Sequence, residues 1–219
     1  MAIAFVQSAA ADFYPSPISG NVTITGSTAG NLLIAGVSAS YYGVASSVTD
    51  NAGNIYTSVP SLTSTDGTFG TSIWYCNNCL GGATIVTVTF STAIGEGTMA
   101  VYEFSGQNTG SVVDSANTST GSGTAAISAT LTPSVTGELL IAYAVNGTSG
   151  ITSVTSPWVL IIPSGSAAGS AYYLNPPISA QQATFNYPSG SSYATSIAAF
   201  LPPSSGPNPA VATSMFLVF

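Results

Sequence analysis

The chain has 219 residues and seven acidic side chains, Asp12, Asp50, Asp66, Glu96, Glu103, Asp114 and Glu138, but no Lys, Arg or His. Without a cationic side chain it cannot form side-chain ion pairs, neutralise phosphates in the ordinary way or be drawn to anionic headgroups, which argues against nucleic-acid and anionic-membrane partners. The same gap excludes Ser-His-Asp and Ser-Lys catalysis, and a 45% hydrophobic, 3% charged composition is the reverse of a disordered one.

Taken in order, short runs rich in Val, Ile, Thr and aromatic residues alternate with Gly, Pro, Asn and Ser punctuation, and no sustained helical period interrupts them. Strands are predicted at Ile3 to Gln7, Val22 to Thr25, Leu32 to Ala39, Ser47 to Asp50, Tyr56 to Thr57, Ser72 to Cys76, Thr84 to Phe90 and Thr98 to Ser105. A second series follows at Ala125 to Thr130, Glu138 to Val145, Ile151 to Val154, Val159 to Ile162, Ser170 to Leu174, Gln182 to Asn186 and Tyr193 to Phe200, with a last strand at Val211 to Val218. So many short strands imply a sandwich or barrel, and the expected fold is an all-β, jelly-roll-like antiparallel sandwich.

The two series repeat one another. Gly30-Asn-Leu-Leu-Ile-Ala35 recurs 107 residues later as Gly137-Glu-Leu-Leu-Ile-Ala142. Ser47-Val-Thr49 matches Ser153-Val-Thr155, and Val22-Thr-Ile-Thr25 matches Ala129-Thr-Leu-Thr132. Such a duplication gives either two tandem sandwiches or one larger sandwich of two similar halves, 18–116 and 125–203. One domain over 1–203 is expected, because the join near Asn117 to Thr124 is short and the first half lacks strands for a complete fold. Residues 204–209 read as a Pro/Ser/Gly linker and 210–219 as an extra strand.

The segments SSVTDNAGNIYTSV, SIWYCNNCLGGATIVTVTFS and MAVYEFSGQ resemble a secreted bacterial β-sandwich domain. Its pattern is a D-x-x-G-N-x-Y turn, a W-Y strand, a VTVTF strand and an E-[FY]-SG strand. The resemblance covers roughly Ile3 to Pro203 and implies a fold and an exterior location, not an activity. The chain departs from the pattern in lacking basic residues, in its Cys pair and in the stretch after Pro203.

Several residues invite a chemical reading. Cys76 and Cys79, in WYCNNCL, suit a local disulfide in an extracellular setting. A redox dithiol lacks its usual βαβ context, and a zinc half-site lacks the ligands to complete it. Asp50-Asn-Ala-Gly-Asn54 is expected to be a turn with Gly53 at positive φ and lacks the acidic spacing of an EF-hand calcium loop. Glu96, Glu103 and Glu138 are the remaining candidates for paired-carboxylate chemistry, although hydrogen bonding explains a buried Glu103 equally well. No catalytic residue, metal or cofactor is expected. Tyr41-Tyr42 and Tyr172-Tyr173 are candidate sugar-stacking platforms, with Trp74 and Trp158 as further rings. Asn21, Asn117 and Asn146 stand in N-glycosylation sequons, and attached glycans would help to solubilise a chain so poor in charge.

The stretch Ala210-Val-Ala-Thr-Ser-Met-Phe-Leu-Val-Phe219 is nearly all apolar, with Ala210, Val211, Ala212, Met215, Phe216, Leu217, Val218 and Phe219 suited to a strand buried on both faces. It could close its own domain, complete the sheet of a neighbouring copy, or be the remnant of a membrane or sorting tail. Because the repeat stops near Pro203, the neighbouring copy is preferred, with Ile3 to Val6 as the other possible donor. No basic leader precedes Ala2, so a removed signal is expected, and no apolar run is long enough for a spanning helix. The expected protein is a structural subunit of an extracellular filament or surface assembly, with copies of itself as partners and glycans as possible additions. A carbohydrate-binding or adhesive module is the alternative.

Overall fold

A computed structural model describes residues 2–15, 17–40, 43–63, 67–147, 150–161 and 166–204, with the side chains of 60–63 left aside. The described residues contain fourteen strands and no helix. The first half holds β1 (Ala4–Phe13), β2 (Ser19–Thr23), β3 (Leu32–Ser40), β4 (Ala45–Asp50), β5 (Thr57–Thr63), β6 (Phe69–Cys76), β7 (Ile85–Phe90) and β8 (Gly97–Ser105). The second holds β9 (Val113–Ile127), β10 (Leu139–Asn146), β11 (Ser153–Val154), β12 (Val159–Ile161), β13 (Ala168–Leu174) and β14 (Thr184–Phe200).

In the first half, a five-stranded antiparallel sheet in the order β1-β8-β3-β6-β5 faces a three-stranded sheet, β2-β7-β4. The second half repeats this plan with fewer, longer strands. The latter part of β14 lies between β10 and the first part of β9, and the sheet continues through β13 to β12. The first part of β14 lies between the end of β9 and β11. A register shift between Asn186 and Ser191 lets both long strands serve both sheets, which is how bulges turn corners in sandwiches.

Each half thus carries both sheets of a sandwich, and the two halves pack back to back through their larger sheets. One core, with Leu33, Val37, Val86, Val88, Met99 and Val101, fills the first sandwich. Another, with Leu140, Ile151, Trp158, Phe185 and Ile197, fills the second. A third core lies between the halves and joins Leu32, Ile34, Ile73, Tyr102 and Phe104 to Leu139, Ile141, Tyr143 and Phe200. Two-sided burial explains why β3 and β10 read as unbroken apolar runs and not as alternating ones: every described residue of both is buried.

The contact between halves is self-complementary. Register places Tyr75 of β6 beside Ile34 and Tyr172 of β13 beside Ile141, so the two tyrosines are equivalent in the repeat. Phe104 and Phe200, beside Leu32 and Leu139, are equivalent as well. Tyr75 meets Phe200 edge-on at 5.9 Å, and Phe104 meets Tyr172 edge-on at 5.6 Å. The same contact made twice with the roles exchanged is the mark of an isologous interface. Near its centre the equivalents Gly36 and Tyr143 meet each other, and a Cβ on Gly36 would lie 2.2 Å from Tyr143 Cδ2. Glycine is needed there because the partner position holds a ring.

Most predicted strands are found, with three differences. Residues Asn117 to Thr124, read as a join, lie inside β9. Its Ser, Thr and Gly suit a half-exposed strand that pairs along one side, with β14. The separate runs Gln182 to Asn186 and Tyr193 to Phe200 belong to one strand, β14, because Pro188 to Gly190 bulge without ending it. β5 continues past Pro60, which edge position and a register shift between Ser58 and Ser61 accommodate. The N-terminal run Ile3 to Val6, the second candidate donor, belongs largely to β1, which pairs with β8 of its own chain from Ala4 to Phe13. The expected strand at Val211 to Val218 and most of the linker, residues 205–209, lie outside the described residues.

Candidate functional site

The motifs singled out in the sequence converge at one end of the first sandwich. The β4–β5 turn, the Cys76–Cys79 loop after β6, the loop before β3 and Glu103 near the end of β8 meet there.

Asp50 ends β4 and organises its own turn. Its Oδ1 accepts the backbone N–H groups of Ala52 (3.0 Å) and Asn54 (3.1 Å), and its Oδ2 accepts Asn54 Nδ2 (2.7 Å) and the Tyr56 hydroxyl (3.1 Å). Gly53 takes φ +83°, as the D-x-x-G-N spacing predicts. Asn54 then reaches the cysteine loop, where its Oδ1 accepts Leu80 N at 2.6 Å. Burial, followed by the adjacent Asp50 carboxylate, holds the Tyr56 hydroxyl far above the ordinary tyrosine range. All of these groups are occupied within the turn, which therefore acts as a rivet between two loops.

Cys76 and Cys79 are both buried and stand as free thiols, so the disulfide expected from the sequence is not formed in this structure. Asn78 between them adopts φ +53°, which lets the chain turn sharply. Cys79 Sγ donates to Thr28 O at 3.3 Å, and its backbone N–H donates to Asn31 O at 2.9 Å. Burial first, then Cys79 and Asp50, push the Cys76 thiol up to about 11, and burial with the nearby Glu103 raises that of Cys79. Neither is a thiolate at neutral pH, and the thiolate is the reactive form.

Glu103 is 1% exposed in a chain with no cation to pair it. Its Oε1 accepts Thr28 N (2.8 Å) and Asn31 Nδ2 (2.6 Å), and its Oε2 accepts Gln7 Nε2 (2.6 Å). Gln7 Oε1 in turn accepts Thr25 N (3.0 Å) and the Thr25 hydroxyl (2.6 Å), which fixes the direction of the network. Gln107 donates to Gly30 O at 2.7 Å, and Asn77 donates to the carbonyls of Asn108 and Gly110.

The second half solves the same local problem with a different acid. Val135, equivalent to Thr28, donates its N–H to Glu138 Oε1 at 2.8 Å. Ser134 N donates to the same oxygen, also at 2.8 Å. Glu138 occupies the place of Asn31, while Ala199 stands where β8 has Glu103. A buried carboxylate thus closes the equivalent loop in both sandwiches. Glu96 lies elsewhere, near Asp12, and the three glutamates do not form one paired-carboxylate site. Among the described residues no group of three or more His, Cys, Asp or Glu could hold a metal ion.

The remaining candidates are distributed. Tyr172 and Tyr173 are half-buried, the first stacked on Phe5 at 5.2 Å and the second packed edge-on against Trp158 at 5.8 Å. Tyr41-Tyr42 and Asp66 lie outside the described residues. Trp74 is partly buried beside the first core. Asn21 and Asn117 are exposed, whereas Asn146 is 1% exposed and donates to Ala167 O at 3.0 Å, so a glycan there would require that strand end to open. Sequence reasoning found the pieces of the buried cluster but missed Gln7, Asn31 and Gln107, whose one legible signal was an amide within an otherwise apolar or small-residue run.

Comparison of the chain with protein-family models, with curated proteins and with solved structures gives no match. The site is therefore read on its own chemistry: Asp50 and Glu103 with donors on both oxygens, Glu138 with donors on Oε1 alone, protonated thiols, and loops tied to one another.

Proposed function

We propose that this protein is a structural subunit of an extracellular filament or surface assembly, polymerising by strand complementation between neighbouring copies. The observation that carries the reading is that the cores of both sandwiches are built from residues before 205, while the sequence continues into the apolar stretch Ala210–Phe219. An apolar strand with no place required of it at home gains by burial in another copy, where backbone hydrogen bonds and both faces are satisfied together. Repeated head to tail, such a contact builds an open fibre. The composition agrees with this use. With charge at 3% against the usual quarter or so, mutual repulsion of subunits is small and few charges need desolvating at a contact.

Electron microscopy of the full chain and of a chain lacking Ala210–Phe219 tests the proposal. The full chain is expected to form regular fibres and the shortened one to remain dispersed. Equal polymerisation by both removes the reading.

A further inference from the structure

We infer that the acceptor site for Ala210–Phe219 is the open edge of β4, together with the uncovered inner face of β5 and β6 beside it, on a neighbouring copy. The inference rests on the polymer reading above and names the surface that reading requires.

Among the described residues, three strands facing five leave part of the larger sheet without a covering strand. At the β2 side the first sandwich is closed by Phe13, whose ring lies so near Gly20 that an added Cβ would stand 2.4 Å from it. At the opposite side β4 pairs only with β7 among the described residues, so its outer edge offers unpaired backbone groups. Beneath that edge a cavity of about 120 Å³ opens among Val37, Ala39, Val44, Ala45, Ser58 and Trp74. Ser38, Gly70, Thr71 and Ser72 complete its mixed lining, and its volume, below the ~150 Å³ that holds a benzene ring, suits a single aliphatic or methionine side chain.

The internal repeat supplies a comparison. Two residues before the shared Ser-Val-Thr, the first half has Ala45 and the second has Ile151, which is 3% exposed within its core. Ser58 pairs with Trp74 as Leu160 pairs with Ala171, so Ser58 and Leu160 are equivalent, and Leu160 packs on the second core. Both positions that fill this region in the second half are small in the first, where Trp74 in turn stands in the place of Ala171.

The proposed occupant fits in pattern and reach. In an extended strand Val211, Met215, Leu217 and Phe219 share one face, and the stretch carries no charge to desolvate. The described chain ends at Ser204, in a cleft shared with Ala2, Asn108 and Gly137, after leaving the larger sheet of the second half. Ala2 and Asn108 flank β1 and β8, so Ser204 lies beside the larger sheet of the first half, and the six Cα–Cα steps from Ser204 to Ala210 span up to about 20–22 Å. The stretch thus has the length to reach a β4 edge, which the polymer reading above places on a neighbouring copy.

Photo-crosslinking of the full chain tests this, with p-benzoylphenylalanine in place of Phe219 and an equal mixture of ¹⁵N-labelled and unlabelled chains. The expected product joins the stretch to peptides containing Val44–Ala45 or Ser72–Trp74, with mixed isotope content. Ala45→Ile and Ser58→Leu, each copying the second half, should lower its yield at least tenfold. Ser58 is exposed, so its variant still reports if Ala45→Ile misfolds. Crosslinks elsewhere in fibres that still form overturn the β4 site and leave the polymer reading standing. Crosslinks to β4 confined to single chains, with no fibres, overturn the polymer reading and the inter-copy site with it.

Discussion

Glu103 shows how a protein without cations keeps a buried carboxylate. Three donors converge on it, and Gln7 is held in one orientation by Thr25. Glu103→Gln would place an NH₂ group against Asn31 and Thr28 or against Gln7, and Gln7 cannot reverse without losing Thr25. Hydrogen bonds to a charged group contribute about 1.5–3 kcal/mol each. Loss of roughly 2–3 kcal/mol is expected, read as a lower urea midpoint at unchanged slope. An unchanged midpoint would show that the network is not needed.

At the scale of elements, the contact between the larger sheets depends on unequal residues at equivalent places. Tyr143 lies over Gly36, and its hydroxyl donates to Thr98 O at 3.1 Å. Gly36→Ala inserts a methyl group into the ring. Overpacking of this kind costs about 1–3 kcal/mol, and Gly36→Ala should cost little more when added to Tyr143→Ala, a variant already destabilised by loss of its buried ring, as chemical denaturation of a double-mutant cycle will show. Additive losses would mean that the two residues do not share this space. The strands themselves were largely legible: alternating or continuous apolar runs located β3, β6, β7, β8, β10 and β13. β1 beyond Gln7 and the first part of β9 were not, because small and polar residues in SAAADF and DSANTSTGSG carry little hydrophobic period. Pairing with β8 and β14 determines their conformation instead.

For the whole molecule, acid is expected to stabilise. Burial, then the nearby Asp12, raise the pKa of Glu96, and burial, with a further push from Asp114, raises that of Glu138. A folded pKa above the unfolded one gives stability that is complete below the ordinary carboxylate range and is lost as pH rises through the folded value. With no His, Lys or Arg there are no cationic side chains to oppose the trend, and protonation lowers the repulsion within a net charge of −7. The thermal midpoint should therefore be higher at pH 4 than at pH 7 in calorimetry. A lower midpoint at pH 4 would contradict the assignment of Glu96 and Glu138 as the controlling acids.

The amino-acid sequence alone determined the all-β class, the internal repeat, the turn at Asp50–Asn54 and the absence of cationic chemistry. These depend on local period, turn residues and composition, which neighbours cannot alter. The tertiary structure decided that each half carries two sheets, that the halves meet through an isologous face, and that the Asp50 turn, the cysteines and Glu103 share one end of the first sandwich. The one-sandwich expectation rested on the short join STGSGT and on too few strands read in the first half, whereas in the structure β9 and β14 each supply strands to two sheets. Only pairing reveals such sharing, since a bulge at Asn186 to Ser191 joins what the apolar pattern divides. Whether an apolar strand faces its own core or a second sheet is a long-range matter, and the runs LLIAGV and LLIAYA read alike in either case.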